Sequence, residues 1–307
     1  MQAYLERAID IGREDLPGIY YSASDASQLA QKNFLRLIKA NIGLLIALAL
    51  LSAINVSSIE PKYQYLLPLS SAILMAISII ITFATDLGKY EKKWYDGRAI
   101  AESLKTLSWK FMMKAEPFYG LSKEDAEKKF LLDFKDIKDA IRPPGELFGE
   151  NPRANEHQLT DKMKEVYASD LETRKGTYAK NRINNQKKWY KSNSGKNLNK
   201  AELFFRIIIG FQIFTLISAI FMIFMPDLAF NPTGLITTGI AVLLTWIQLK
   251  RYRNLAESYG ITSGELSLIE ETIPNITTNE QFSNFVAESE TAISREHTMW
   301  RARRTIQ

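Results

Sequence analysis

The apolar residues of this chain are gathered into four runs that come as two closely spaced pairs: Leu37 to Val56 with Tyr65 to Ala84, and Leu203 to Met225 with Gly234 to Leu249. The first three run 20, 20 and 23 residues. At about 1.5 Å of rise per residue, each covers a hydrocarbon layer of roughly 30 Å. The fourth has 16 residues, about 24 Å of helix. It needs Pro232 and Thr233 from outside the run, or snorkelling by Lys250 and Arg251 at its other end. A buried core helix is the other home for an apolar run, but two such pairs are hard to enclose within 307 residues. Four membrane spans are therefore expected, at about 37–56, 65–84, 203–225 and 233–249. The mean hydropathy of −0.15 hides them, because the segments between are rich in charge.

That charge is uneven. Of 39 Lys and Arg residues, 5 lie up to Lys39, 25 from Lys89 to Lys200 and 7 from Lys250 onward, while the two short tips between paired runs hold only Lys62. The excess of positive charge next to spans marks the cytoplasmic side. Both termini and the central region are expected inside and both tips outside, in a cytoplasmic (inner) membrane. The same distribution accounts for a pI near 9.1 without nucleic acid, and it places basic residues where anionic lipid headgroups lie. The N-terminal "MQAYLERAIDIGRED" has no apolar cleavable core, so no secretory signal is expected and insertion is left to the spans. There is no cysteine, which excludes disulfides, thiolate zinc sites and thiol nucleophiles.

Pro61, Pro68, Pro226 and Pro232 sit at the two tips, and Pro143, Pro144 and Pro152 cluster in "RPPGELFGENPRAN", which cannot continue a helix. The cluster divides the chain into a first unit, 1–142, a linker, 143–155, and a second unit, 156–307. The halves echo each other. Gln31, Lys32 and Phe34 match Gln186, Lys187 and Trp189, and Arg98, Ala101, Glu102 and Ser103 match Arg253, Ala256, Glu257 and Ser258, all with an offset of 155. Ile100, Leu104 and Phe111 correspond to Leu255, Tyr259 and Leu266 on one helix face, with Thr262 in place of Leu107. The apolar hairpins are displaced by about 168 instead, roughly three helical turns further. Helix starts are expected at Ser122 with Asp125, Thr262 with Glu265, and Thr278 with Gln281. No strand alternation stands out. The expected fold is an all-α membrane protein, four transmembrane helices as two parallel-repeat hairpins with long cytoplasmic helices.

Little in the residues suggests catalysis. His157 and His297 are far apart without clustered carboxylates, and no Gly-rich phosphate loop, nucleophile elbow or HExxH occurs. Glu288 and Glu290 read as a solvated helix face. No catalytic residue, metal or cofactor is expected. Arg98 with Glu102 and Arg253 with Glu257 can each bridge at i,i+4 for about 0.2–0.5 kcal/mol, which leaves a packed helix joint or a signal-coupling role open for them. The spans carry no acid. Asn41, Ser52, Ser71 and Ser78 in the first pair, and Gln212, Thr215 and Ser218 in the second, are candidates to line a pore. Interhelical hydrogen bonding, helped by Ala49 with Ala53 and Ala72 with Ala76, uses the same residues, and both readings stay open.

The stretch "KKWYDGRAIAESLKTLSWKFMMKAEPF" resembles the post-membrane motif of the SLATT domains, bacterial two-transmembrane modules, at Trp94, Tyr95, Arg98, Ala101, Glu102, Ser103, Lys105, Trp109, Pro117 and Phe118. The last helix, "AESETAISREHTMWRARR", is similar to the C-terminal motif of a second SLATT subtype, with Gln186, Trp189, Tyr190, Glu290, Glu296, His297 and Trp300 as matching positions. The resemblance implies an oligomeric, pore-forming effector of bacterial antiphage conflict systems that depolarises the membrane on a nucleotide-type signal or through a sensor protein. Trp94, Arg98, Glu102, Arg253, Glu257, Glu296 and Trp300 would then couple assembly or signal to the spans. The alternative is a non-conducting scaffold or receptor subunit whose helices dock a partner. The expected partners are the lipid bilayer and further copies of the chain, not nucleic acid.

Overall fold

The structure, a computed structural model, describes residues 3–139, 156–225 and 229–304, with the stretch 295–304 as helix backbone alone. The Pro-rich linker expected at 143–155 lies outside the described residues, as do the side chains of Glu296, His297 and Trp300. Among the described residues the chain is helical, and its only strand-like feature is one bridge between Ile54 and Phe230.

The helices are α1 (Ala3–Glu6), α2 (Gly18–Ser52), α3 (Leu66–Leu87), α4 (Tyr90–Met112), α5 (Lys123–Asp139), α6 (Asp161–Ala168), α7 (Leu171–Tyr178), α8 (Asn185–Phe224), α9 (Pro232–Lys250), α10 (Tyr252–Thr272) and α11 (Asn279–Arg304), with a π-helical turn, Ala179–Asn184, joining α7 to α8. Four of these continuous helical stretches are long and apolar enough to cross a membrane. The chain is an all-α, multi-pass membrane protein. The short fourth run does recruit its neighbours: α9 has 19 residues, opened by Pro232 in the first turn and by Asn231, whose side chain accepts the Thr233 N–H, and its last residue is Lys250.

Expected caps are met at two of three places. Ser122 Oγ accepts from Asp125 N at 3.1 Å to start α5, and Thr278 Oγ1 accepts from Gln281 N at 3.2 Å to start α11. Thr262 does not start a helix. It is buried in the middle of α10 and donates to Ser258 O, so packing wins over its capping tendency.

The chain packs into two compact units, and each draws on both halves of the sequence. Unit 1 comprises Met1–Ala30, Lys92–Ser194 and Glu257–Gln307, and unit 2 comprises Gln31–Glu91 and Gly195–Ala256. Helices α2 and α8 contribute to both without interruption.

Unit 1 has a conventional apolar core. Phe111 packs on Phe118, Phe130 and Tyr167, and Leu104, Met112, Met113, Val166, Phe282 and Val286 are buried. The 4,3,4 stripe expected on α4 is inward as predicted, with Ile100, Leu104, Leu107 and Phe111 all buried; of the corresponding positions on α10, Tyr259, Thr262 and Leu266 are buried, while Leu255, which falls in unit 2, is only half-buried. Two glycines mark close backbone approaches. A Cβ on Gly97 would lie 2.9 Å from Ala23 O, and one on Gly176 only 1.8 Å from Tyr4 O.

Unit 2 holds the spans, and its side chains face mostly outward; Ile80, Phe83, Phe205, Leu216, Ile223 and Phe224 are all more than half exposed. The two tips are bonded to each other, Asn55 N to Ala229 O at 2.9 Å and Asn231 N to Ala53 O at 2.8 Å, which puts them at one end of this unit. Each returning span is followed by a basic residue in the left-handed region, Lys89 at φ 46° after α3 and Arg251 at φ 48° after α9, and then by a tyrosine that opens the next helix.

Candidate functional site

Helix α7 and the π turn run "LETRKGTYAKNRIN", a polar sequence by composition, yet Arg174 to Ala179 are buried, as are Arg182 and Ile183. Buried cations need partners. Arg174 donates to Met113 O at 2.8 Å and to Asn279 Oδ1 at 2.5 Å. Lys175 donates to Ile276 O and Glu172 and faces the Tyr4 ring.

The densest part of the cluster centres on Arg182 and Glu290, whose side chains are 1% and 0% exposed. The guanidinium meets the carboxylate in a two-pronged pair, Nε to Oε1 at 2.8 Å and Nη2 to Oε2 at 2.7 Å. Glu290 also accepts from the Tyr178 hydroxyl at 3.0 Å and from the Thr106 hydroxyl at 2.8 Å. Among the described residues, one nitrogen of Arg182, Nη1, has no hydrogen-bond partner. Lys105 and Glu102, on the same helix as Thr106, lie within its electrostatic reach. The cluster thus ties α4, the π turn and α11 through charges that cannot separate without leaving one of them buried and unpaired. A π turn is an uncommon local widening, frequent at functional sites. Together with the end of α7 it also holds the N-terminal segment: Asn181 Nδ2 donates to Ile9 O at 2.8 Å, Thr177 Oγ1 of α7 accepts from Ile9 N at 3.0 Å, and Lys180 pairs with Asp10.

Nearby groups are tuned by burial. Desolvation raises the pKa of the Tyr167 hydroxyl above its ordinary value, and it lowers that of Lys114, which sits over the Tyr167 ring at 4.7 Å and beside Arg174. Asp170 is held low because it accepts the Thr173 N–H at 2.7 Å as the cap of α7.

The pore-lining candidates of unit 2 divide into two kinds. Ser78 and Asn41 meet across α3 and α2, with Ser78 Oγ donating to Asn41 Oδ1 at 2.5 Å, and Ser78 is buried. Ser218 is buried as well. Most of the other hydroxyls turn back onto their own helix: Ser52 to Ala49 O, Ser71 to Leu67 O and Thr215 to Phe211 O, as do Thr237, Thr238 and Thr245 in α9. Gln212 is exposed.

Two sequence families cover this architecture. The one described as SMODS and SLOG-associating 2TM effector domain 3 matches residues 17–175, and SMODS and SLOG-associating 2TM effector domain 1 matches residues 178–300. The chain belongs to the SLATT family. No curated protein and no solved structure matches it. SLATT domains are two-transmembrane effector domains linked to conflict systems, and this chain carries two in tandem, a membrane effector by membership.

The matched segments meet within the last turn of α7, at 175 and 178, beside the buried cluster. Each supplies part of the cluster: Thr106 and Lys105 come from the first SLATT match, and Tyr178, Arg182 and Glu290 from the second. The coupling candidates fall unequally. Trp94, Arg98 and Glu102 are half-buried on α4, where Trp94 stacks on Tyr95 and its carbonyl accepts from Ser27 Oγ at 2.7 Å, whereas Arg253 and Glu257 are exposed on α10.

One expectation is overturned. Glu288 does lie on a solvated face, but Glu290 is fully buried, because it falls on the α11 stripe with Phe282, Val286 and Ile293. That stripe was a readable signal, and the carboxylate on it was the clue to a buried cation. Arg174, Lys175, Tyr178 and Arg182 were missed, since a polar segment rich in basic residues looks like solvated charge until its burial is known. Among the described residues, no group of three or more acidic or histidine side chains is placed to hold a metal ion.

Proposed function

We propose that this SLATT protein assembles with copies of itself in the cytoplasmic membrane, both termini inside, and opens a pore that depolarises the cell. The trigger is a nucleotide-type signal or a sensor protein acting on unit 1, in a bacterial antiphage conflict system. The observation that carries the reading is the unspent apolar surface of the spans. Only 11%, 6%, 11% and 0% of the apolar windows of the four helices are buried within one chain, so most of that surface is available to lipid and to other copies. Asn41, Ser71 and Gln212 supply neutral polarity on three spans, without the fixed mid-depth charge of a proton or sodium relay. The bonded tips and the basic residues at the opposite ends of the spans favour two hairpins entering from one side. The reading involves no catalysis, cofactor or nucleic acid.

One observation favours the alternative, a non-conducting scaffold or receptor subunit. The hydroxyls of Ser52, Ser71 and Thr215 are satisfied by their own helices and need no water. Ion flux through liposomes holding the inserted protein separates the two. Flux that Asn41→Leu, Ser71→Leu and Gln212→Leu abolish, with the oligomer retained, supports the pore; silence from inserted protein, with and without small nucleotides extracted from infected cells, supports the scaffold.

A further inference from the structure

At the ends of the spans in unit 2, three lysines from three helices gather on two aromatic rings. Lys39 of α2 and Lys250 of α9 both sit over the Trp246 ring, with Nζ 5.7 and 5.3 Å from its centroid. Lys200 of α8 lies over the Tyr252 ring at 5.7 Å, and that ring is held by a stack with Phe204 at 5.6 Å and 11°. The left-handed Arg251 makes the turn that carries Tyr252 out of α9 into α10. Lys39 and Lys200 are also the two charges whose fields reach Lys250.

Among the described residues, no ion pair with an acid forms at any of the three. Glu202, the nearest acid in sequence to Lys200, is paired with Arg206 at 3.1 Å. Aromatic faces offset part of the repulsion among clustered cations, but a shared anion offsets more. Position narrows its identity. Lys39 is at the start of one apolar run, Lys200 just before another and Lys250 just after a third, and Trp and Tyr at such ends lie at headgroup depth. Lys39 and Lys200 are exposed, so their ammonium groups are open to that layer.

We propose that Lys39, Lys200 and Lys250, gathered on the Trp246 and Tyr252 rings, form a binding site for the phosphate of an anionic phospholipid headgroup. The site depends on the spans lying in a bilayer and not on the pore reading, so it stands or falls separately from conductance.

The test uses the full chain purified in neutral detergent, with the thermal unfolding midpoint followed by far-UV circular dichroism. Short-chain phosphatidylglycerol, phosphatidylcholine or inorganic phosphate is titrated in. Phosphatidylglycerol is expected to raise the midpoint saturably and the other two to leave it unchanged. Each of Lys39→Gln, Lys200→Gln and Lys250→Gln should weaken the response roughly fivefold in half-saturating lipid, the equivalent of one lysine near an anionic surface. The triple Lys→Arg variant should respond like the parent, which keeps the test falsifiable if a glutamine variant does not fold. Equal responses to the two lipids, or glutamine variants that respond as the parent does, would overturn the site. Inorganic phosphate acting as strongly as phosphatidylglycerol would overturn the lipid assignment in favour of a soluble phosphate.

Discussion

Replacing Glu290 by leucine tests whether the buried cluster holds unit 1 together. The variant leaves the Arg182 guanidinium, 1% exposed, without a counter-ion, and removal of one partner from a buried ion pair costs about 3–5 kcal/mol. The Tyr178 and Thr106 hydroxyls lose their acceptor at the same time. Each orphaned group costs about 1–3 kcal/mol, but members of one network do not add, so a total of about 4 kcal/mol is the working figure. For a cooperative unit of this size, 1 kcal/mol moves Tm by about 2–4 °C, and a fall of roughly 10 °C is expected in a far-UV circular dichroism melt of the detergent-solubilised chain. Glu288→Leu, on the exposed face of the same helix, should change stability by less than about 0.5 kcal/mol.

The double variant Arg182→Leu with Glu290→Leu sharpens the test. Apolar residues in place of a buried pair are often neutral or stabilising, so the double variant should melt above Glu290→Leu despite carrying one more change. If Glu290→Leu melts within about 2 °C of Glu288→Leu, or if the two buried substitutions simply add, the pair is not carrying the packing and the reasoning fails.

Three further outcomes follow from the packing. Gly176→Ala places a Cβ 1.8 Å from Tyr4 O; the overpacking cost of about 1–3 kcal/mol outweighs the gain in helix propensity of about 1 kcal/mol, and trypsin should cut faster at Arg7 than in the parent, an unchanged rate being the contrary result. Arg98→Ala should disturb the oligomer profile in size-exclusion chromatography with light scattering more than Arg253→Ala, since Arg98 is half-buried and Arg253 exposed; identical profiles for both variants and the parent would refute this. Tyr167→Phe bears on pH: burial raises the folded hydroxyl above its ordinary 10.0, so the unfolded chain releases that proton first and the contribution is full below pH 10 and lost as pH rises through the folded value. The stability difference between parent and Tyr167→Phe should therefore be flat below pH 10 and move against the parent above it; a flat difference at all pH values would show the hydroxyl to be unburied.

The spans were readable because a bilayer imposes a length and a polarity that any helix crossing it must meet, and even the short fourth run resolved as its sequence required, with Asn231 and Pro232 opening α9 and Lys250 closing it. The apolar stripe of α4 was readable for a similar reason, since Ile100, Leu104, Leu107 and Phe111 recur at helical spacing and are buried together. Thr262 misled because a capping pattern is local and burial is not; in the middle of α10 the same hydroxyl bonds back to Ser258 O. The composition of the compact units was not readable at all. Segments as distant as Ile9 and Asn181, or Thr106 and Glu290, are brought together by contacts that leave no trace in spacing.

The least readable part is also the part that distinguishes unit 1 from a simple stack of amphipathic helices. Arg174, Lys175 and Arg182 belong to the positive excess of the segment from Lys89 to Lys200, yet all three are buried. Their burial costs solvation that is recovered only when the partners from α4, α11, the turn after α10 and the N-terminal segment are all in place. A loss of any one partner leaves a buried charge unpaired and so loosens several segments together.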